Sequence, residues 1–457
     1  MSALWTAAEL ALATGGQASG DFAGTGLAFD SREVGPGDLF IALKGEMTDG
    51  HRFVDSAFAQ GAAGAIVSTP IDHPHILVKD TTAALNALGV AARLRTSARI
   101  AGVTGSVGKT STKEALAAAL ARANKGPVHR SVKSYNNHTG VPLSLGRMPA
   151  QTRFGVFEMG MNHAGEIAQL TRMVRPHVAM ITAIAPAHIE NLGSMEAIAD
   201  AKGEIFQGLE PDGTAIIPFD TPYRDQLLAH AKAHARQVIT FGRKEGADVF
   251  ARDVLVADHG TIIMASLPGA ELTFTLSQPG DHWVSNALAV LAAVQALGGD
   301  LAAAGLALGD MAGIAGRGAR HRIQAGGGEA LLIDESYNAN SASMAATLAV
   351  LGREEAARRI VVLGEMRELG ADSEALHAGL ADPVLAAQVD IALLVGPGMA
   401  PLASRLQGKI EVFHLADAQS ALEALKPMLR GGDAILVKGS NAVGLGRLVA
   451  DLTTGDA

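Results

Sequence analysis

The chain has 457 residues, a length that suggests about three domains, and at 48% hydrophobic content each domain can bury a core of its own. Aromatic residues make up only 4%, so Ala, Leu, Val and Ile must fill that core; the lack of cysteine excludes disulfides and thiolate metal sites and points to a reducing, cytoplasmic setting. A net charge of −9 argues against nucleic acid as the main partner, and neither a signal peptide nor a bilayer-spanning apolar run is expected.

The first region runs to about Thr96. Short apolar segments at 39–43 and 65–68 flank a helical pattern at 53–58, and an Ala-rich helix is predicted over 83–94. The unit reads as a small α/β domain. Asp30-Ser31-Arg32 offers an arginine fork and a hydroxyl just after an apolar run.

The second region opens on the most informative stretch of the chain. An apolar run at 100–103 leads into Gly105-Ser106-Val107-Gly108-Lys109-Thr110-Ser111, and a helical pattern follows from Lys113. Strand, glycine loop, Lys-Thr and helix together cradle nucleotide phosphates, because the glycines let backbone N–H groups approach the oxygens and the helix N-terminus adds positive potential. Lys109 would meet the β- and γ-phosphates, and the Thr110 hydroxyl would hold Mg²⁺. The loop departs from a strict Walker A, since Val103 stands five places before Gly108 and the glycine comes one place early, at Gly102. Further apolar runs at 154–157, 178–181 and 215–217 alternate with helical patterns and indicate a mostly parallel sheet. A hairpin is expected over 260–264 and 271–275, and a long helix over 285–297.

The third region follows a glycine and arginine cluster at 313–321. Apolar runs at 331–333, 360–363, 391–395 and 434–437 repeat the alternation and read as a second doubly wound domain. Gly326-Gly327-Gly328 reads as a turn.

Polar clusters recur just past the strand ends, where ligands gather in such sheets. Glu158 stands where a carboxylate holds a hard cation, or where a capping or solvated acid would equally sit. His188 is a lone histidine, a kind more often structural than ligating. Lys202, taken alone, reads as a solvated helix lysine. Asp334-Glu335 after an apolar strand suggests a Walker B acid, but it lies over two hundred residues past the glycine loop. Lys438-Gly439-Ser440 is a second small phosphate-friendly turn.

Taken in order, these clusters resemble the Mur ligase family over nearly the whole chain. Asp30-Ser31-Arg32, the stretch at 35–45 and Asp49-Gly50-His51 look like its UDP-sugar-binding domain. The loop at 104–110 looks like its ATP loop, early glycine included. Asn136-Asn137-His138-Thr139-Gly140-Val141-Pro142 resembles its segment that faces the substrate and phosphates. The resemblance implies three domains: a UDP-sugar-binding α/β domain at 1–96, a central P-loop domain with a mostly parallel sheet at 97–316, and a Rossmann-like domain at 317–457 that delivers the amino substrate.

It also implies roles. Gly105, Ser106, Gly108, Lys109, Thr110 and Ser111 would bind ATP, with Asn286 near the adenine, Arg317 at the hinge and Asp334 beyond it. Glu158 and His188 would join Thr110 as Mg²⁺ ligands, and Lys202 would be carbamylated and complete the metal site. Lys109, Lys202 and His188 would act in catalysis, while Ser31, Arg32, Asn137, Tyr337, Asn338 and Asn340 would contact substrate. The stretch 334–340 and Gly364-Glu365-Met366-Arg367-Glu368-Leu369-Gly370 resemble the branch that adds D-Ala-D-Ala, and no Asp-Asn-Pro-Arg of the diamino-acid-adding branch is present. Three positions depart from that pattern: Val107 stands for a frequent Asn, Ser341 for Pro, and Asn441 for Arg. The implied enzyme is a cytoplasmic monomer that uses ATP and Mg²⁺ to join D-Ala-D-Ala to a UDP-muramoyl tripeptide in peptidoglycan precursor synthesis. Rival readings are a sibling ligase, a P-loop motor or nucleotide switch, and a silent nucleotide binder. A guanine switch would want Asn-Lys-x-Asp, and Asn124-Lys125-Gly126-Pro127 lacks the Asp.

Overall fold

The computed structural model describes residues 3–45, 48–186, 189–257 and 260–454. It is a mixed α/β protein built on three main sheets. The first sheet has five strands in the order Gln17–Ala18, His75–Leu77, Gly64–Val67, Asp38–Ile41 and Gly26–Ala28. All pairings but the first are parallel. The helix Thr81–Leu94 follows, and starts where the Asp80 carboxylate accepts from the N–H groups of Thr82 and Ala83 at 2.7 and 3.0 Å.

The central sheet has nine strands. Arg99–Thr104 lies in its interior, between Phe154–Glu158 on one side and Val178–Ile181 on the other. The chain fills the first side with Val128–Arg130 and then turns to the second with Thr214–Pro218 and Gln237–Gly242. Arg99–Thr104 is therefore the switch point, and the crevice beyond its carboxyl end is open to a ligand. The expected hairpin is Gly260–Leu267 with Ala270–Leu276, paired antiparallel. Two strands beside it, Gln237–Gly242 and Val249–Ala257, escaped the sequence reading. Val249–Ala257 is broken by Arg252 and Asp253 and its outer half is largely exposed, so it does not read as one buried apolar run.

In the third sheet, Ala319–Ala325 and Gly328–Glu335 form an antiparallel hairpin closed by the Gly326–Gly328 turn. Asp433–Lys438, Arg358–Gly364, Ile391–Val395 and Glu411–Leu415 then extend the sheet in parallel. Glu411–Leu415, an edge strand only partly buried, was also missed.

One hydrophobic core runs without a break from the first sheet into one face of the central sheet. It joins Trp5, Leu10, Leu39, Leu85 and Leu88 to Ile100, Val141, Leu145 and Phe157. Trp5 donates its indole N–H to the Gly146 carbonyl at 2.8 Å, and the Arg95 guanidinium stacks 3.4 Å over its ring. The third region keeps its own cores on the two faces of its sheet.

Candidate active site

The glycine loop leaves the strand Arg99–Thr104 and enters the helix Lys109–Arg122, which begins four residues earlier than its apolar pattern implied. Two glycines are required by space as well as by dihedral angle. Gly105 has φ +151°, and a Cβ there would fall 1.9 Å from the Thr182 hydroxyl; Gly108 has φ +82°, and its Cβ would fall 2.9 Å from Asn286 Oδ1. Thr182 braces the loop from the neighbouring strand end, because its hydroxyl donates to the Val107 carbonyl. That contact uses main chain, so it does not depend on the side chain at 107.

Lys109 folds back and donates to the Gly105 carbonyl at 2.8 Å. Thr110 donates to Glu158 Oε2 at 2.8 Å, and Asn136 donates to the other oxygen, Oε1, at 2.7 Å. Glu158 ends its strand, opposite Val103, and is fully buried. Lys113 is also fully buried; its Nζ lies 4.0 Å from Glu158 Oε2 and donates to the Ser131 and Lys133 carbonyls at 2.8 and 2.6 Å. Lys202 sits in the helix Met195–Gly203 and is 1% exposed, which corrects its reading as a solvated helix lysine. Burial, then the positive charge of Lys109, pushes its pKa well below the usual lysine value. Burial also lowers the pKa of Lys109, with Glu158 opposing and Arg317 reinforcing.

Lys109, Asn136, Glu158 and Lys202 open on one cavity of about 640 Å³. Of the expected residues, Ser106, Gly108, Lys109, Ser111, Asn137, Glu158, Lys202 and Asn286 line it from the central region; Arg317, Tyr337, Asn338 and Asn340 line it from the third. Arg317 lies 4.3 Å over the Tyr337 ring and donates to Ser134 at 3.1 Å, so it ties the two walls together. Asp334 stands behind the wall. Its carboxylate accepts from the Gly316 N–H at 2.6 Å and from the Ser336 N–H and hydroxyl at 3.1 and 2.6 Å, and so shapes the turn that presents Arg317. Gly105 and Thr110 lie beneath the lining, while Ser31 and the exposed Arg32 lie outside it, in a short turn where Arg32 pairs with Asp30 at 2.6 Å. His188 lies outside the described residues.

Several residues in and beneath the lining were missed as candidates. Ser134 and Thr182 carry no signal in the sequence beyond their place next to strand ends or motifs. Lys113 was legible in principle, because a spacing of three puts it on the helix face of Thr110. Lys438, noted only as part of a small turn, is buried and reaches Glu335 Oε2 at 3.4 Å and the Asn338 carbonyl at 2.8 Å. Burial lowers its pKa and raises that of Glu335, each against the other's charge. Ser341 takes the first position of the helix Ser341–Gly352 behind the Asn340 cap. That position needs no N–H partner, so the helix start accommodates either serine or proline.

The donors around Glu158 suit a hard dication: a buried carboxylate and a hydroxyl in contact, both oxygens. Among the described residues no three His, Asp or Glu side chains gather as an all-protein metal cage. Magnesium does not need one, since it keeps waters and substrate phosphates on most of its positions.

A phosphate-binding loop at the switch point of a parallel sheet, facing a cavity roofed by a second doubly wound unit, defines a nucleotide-dependent enzyme that works between domains. Family profiles match in the same order: the Mur ligase family, catalytic domain, at 25–126, the Mur ligase middle domain at 103–294, and the Mur ligase, glutamate ligase domain, at 320–441. The chain is 38% identical, over 93% of its length and 92% of the relative's, to the UDP-N-acetylmuramoyl-tripeptide–D-alanyl-D-alanine ligase of Escherichia coli (strain K12). It is 36% identical to the enzyme of that name from Bacillus subtilis (strain 168), with 93% of each chain covered. The crystal structure of MurF from Acinetobacter baumannii superposes with a TM-score of 0.84 at 32% identity, covering 99% of both chains. MurF ligase from Thermotoga maritima in complex with ADP gives 0.77 at 27% identity, covering 94% of this chain and 97% of that one. The chain belongs to the Mur ligase family.

Proposed function

We infer that the protein is the ATP-dependent ligase that adds D-alanyl-D-alanine to UDP-N-acetylmuramoyl tripeptide in peptidoglycan precursor synthesis. The observation that carries this reading is the single cavity in which Lys109, Glu158 and Lys202 face Tyr337, Asn338 and Asn340. It sits in a chain similar over nearly its whole length to ligases bearing that name. Residues 1–96 hold the UDP end, 97–316 hold ATP, and 317–457 deliver the dipeptide. ATP and a UDP-linked substrate place the reaction in the cytoplasm; among the described residues no helix is long and apolar enough to cross a membrane.

The chemistry joins two anions, so charge neutralisation is the main physical problem. An oxygen of the tripeptide's terminal carboxylate bonds to the γ-phosphorus as ADP leaves. The dipeptide ammonium gives up a proton, its amine nitrogen bonds to the activated carbonyl carbon, and phosphate departs from the tetrahedral centre as the nitrogen releases a second proton to leave the amide. Lys109 leaves the Gly105 carbonyl to meet the transferring phosphoryl group, and the loop N–H groups hold the neighbouring oxygens. Thr110 and Glu158, with His188 and a carbamylated Lys202, would hold Mg²⁺, which supplies further positive charge at the phosphoryl oxygens. Carbamylation needs a neutral amine, and the burial that lowers the Lys202 pKa favours that form. Arg317, anchored on Ser134 and stacked on Tyr337, brings the third region over the loop.

Phosphate release measured with ATP alone, then with the UDP-tripeptide, then with D-Ala-D-Ala added, tests the reading. Release is expected only when all three are present; rapid release with ATP alone would point to a motor. Lys202→Ala is expected to lose most turnover, and Lys202→Arg to leave it lost, because arginine supplies no anion. Near-normal turnover in Lys202→Arg would dispose of the carbamate.

A further inference from the structure

Residues 131–137 touch every part of the molecule that must act together. Lys113 holds the Ser131 and Lys133 carbonyls from below. The Ser134 hydroxyl accepts from Arg317 at 3.1 Å and lies 3.3 Å from that of Thr110. Asn136 fixes one oxygen of Glu158. The opposite edge of the segment faces the first region. There the Tyr135 hydroxyl lies 2.9 Å from both oxygens of Glu33, and the Lys133 ammonium pairs with the same carboxylate. Lys133 takes φ +51°, a left-handed conformation that L-residues rarely adopt, and the contacts on both sides maintain it. Glu33 closes the short helix Ser31–Glu33, so it is directly bonded to Arg32 and two places from Ser31.

We propose that Glu33, Tyr135 and Lys133 are positioning residues that make occupancy of the UDP-sugar region felt at the Glu158 carboxylate. The proposal rests on the reading of residues 1–96 as the UDP-binding region. Its physical content is that one short segment is held by two sites. A diphosphate that draws Arg32 away from Asp30 moves the helix on which Glu33 sits. Glu33 grips Tyr135, and Asn136, the next residue, sets the angle of Glu158. A ligand at either end thus biases the same segment, and the coupling must be reciprocal. Asp30 keeps Arg32 occupied through two contacts, at 2.9 and 2.6 Å, so the turn has a defined arrangement for substrate to change. Burial would raise the Glu33 pKa, but the hydrogen bonds from Lys133 and Tyr135 outweigh it and keep the carboxyl ionised. Burial and Glu33 together push the Tyr135 hydroxyl up to about 12, so it remains a donor.

The alternative is that these residues merely glue the first region to the second. Calorimetric titration of ADP with Mg²⁺ into the full chain, with and without UDP-N-acetylmuramoyl tripeptide, separates the two. In the unmodified protein the UDP-substrate is expected to tighten ADP·Mg²⁺ binding by about 5-fold or more. Tyr135→Phe removes only the hydroxyl and keeps the ring 5.5 Å from Phe29; Glu33→Gln keeps the shape and removes the charge. Each is expected to bind the UDP-substrate alone, and to melt, as the parent does, yet to lose the tightening to within about twofold of none. Their turnover is expected to fall about 10-fold, as for residues that orient a metal ligand. Variants that keep the tightening overturn the proposal, as do variants that lose UDP-substrate binding itself, which would make the contact glue. An unmodified protein that binds both ligands without coupling also overturns it. An unmodified protein that binds no UDP-substrate overturns the functional reading instead.

Discussion

The first and central regions meet through a continuous apolar core, with Trp5 donating to Gly146 and Arg95 stacked on its ring. The central and third regions meet through polar contacts around a cavity: Arg317 on Ser134, and Arg353 at 3.5 Å from Asp281. An apolar seam of that kind resists separation, because opening it exposes buried surface to water. A polar seam exchanges its hydrogen bonds for water at small net expense. The difference assigns the motion. It predicts that the first two regions move as one body and that the third opens and closes over the glycine loop, so that closure completes the site.

The largest effect is expected at the loop itself. Lys109→Ala should lower turnover by about 10²–10³-fold or more, the scale for removing one electrostatic donor from a phosphoryl or oxyanion site. Binding of the UDP-substrate should stay intact, because the apolar seam is untouched. Calorimetry showing that binding lost would break the division between the two seams.

Trp5→Ala should destabilise the protein by about 3–5 kcal/mol, the usual range for truncating a buried aromatic. Scanning calorimetry should show the lowered transition as one event covering residues 1–316, with the third region melting separately. Separate melting of the first region would deny the single body.

Acid should weaken the fold with a defined sign. Burial is the main cause that lowers both His129 and His282 from 6.5 to about 4. Both are neutral in the folded protein and protonated in the unfolded chain between those values. The unfolded state then holds more protons, so stability is full above about pH 6.5 and is lost as pH falls toward 4. His129→Gln should flatten this slope in melting temperatures measured across that window. His282 sits at the polar seam, where opening alone admits a proton, so His282→Gln should flatten it less. Equal slopes would mean that the seam opens only on unfolding.

The smallest effect is expected at the rim. Arg353→Ala should change stability by about 0.5 kcal/mol or less, since the ion pair with Asp281 is half-exposed and screened. A change of several kcal/mol in chemical denaturation would mean that the polar seam is stronger than its contacts imply.

Much of this was legible because interior parallel strands are apolar runs. Ile100, Val156, Ala179 and Ile216 each mark one, and the functional residues stand where those runs stop. Val249–Ala257 and Glu411–Leu415 were not legible, since half-exposed strands mix polar with apolar residues. Within the site, the loop and Glu158 could be read from local pattern. The burial of Lys202 and Lys113 could not, because whether a helix lysine meets solvent or a neighbouring sheet depends on packing far away in sequence. The continuity of the first core was hidden for the same reason. Residue 96 reads as a boundary in composition, yet Leu85 and Leu88 on one side of it pack into the same core as Val141 and Leu145 on the other.

The bond from Lys109 to the Gly105 carbonyl makes the loop its own competitor. Any ligand must offer the ammonium more than a neutral amide oxygen already does. A multiply charged phosphate tail meets that condition with ease; a bare nucleoside, however well its base might fit, does not. The loop therefore filters visitors by charge before shape is consulted.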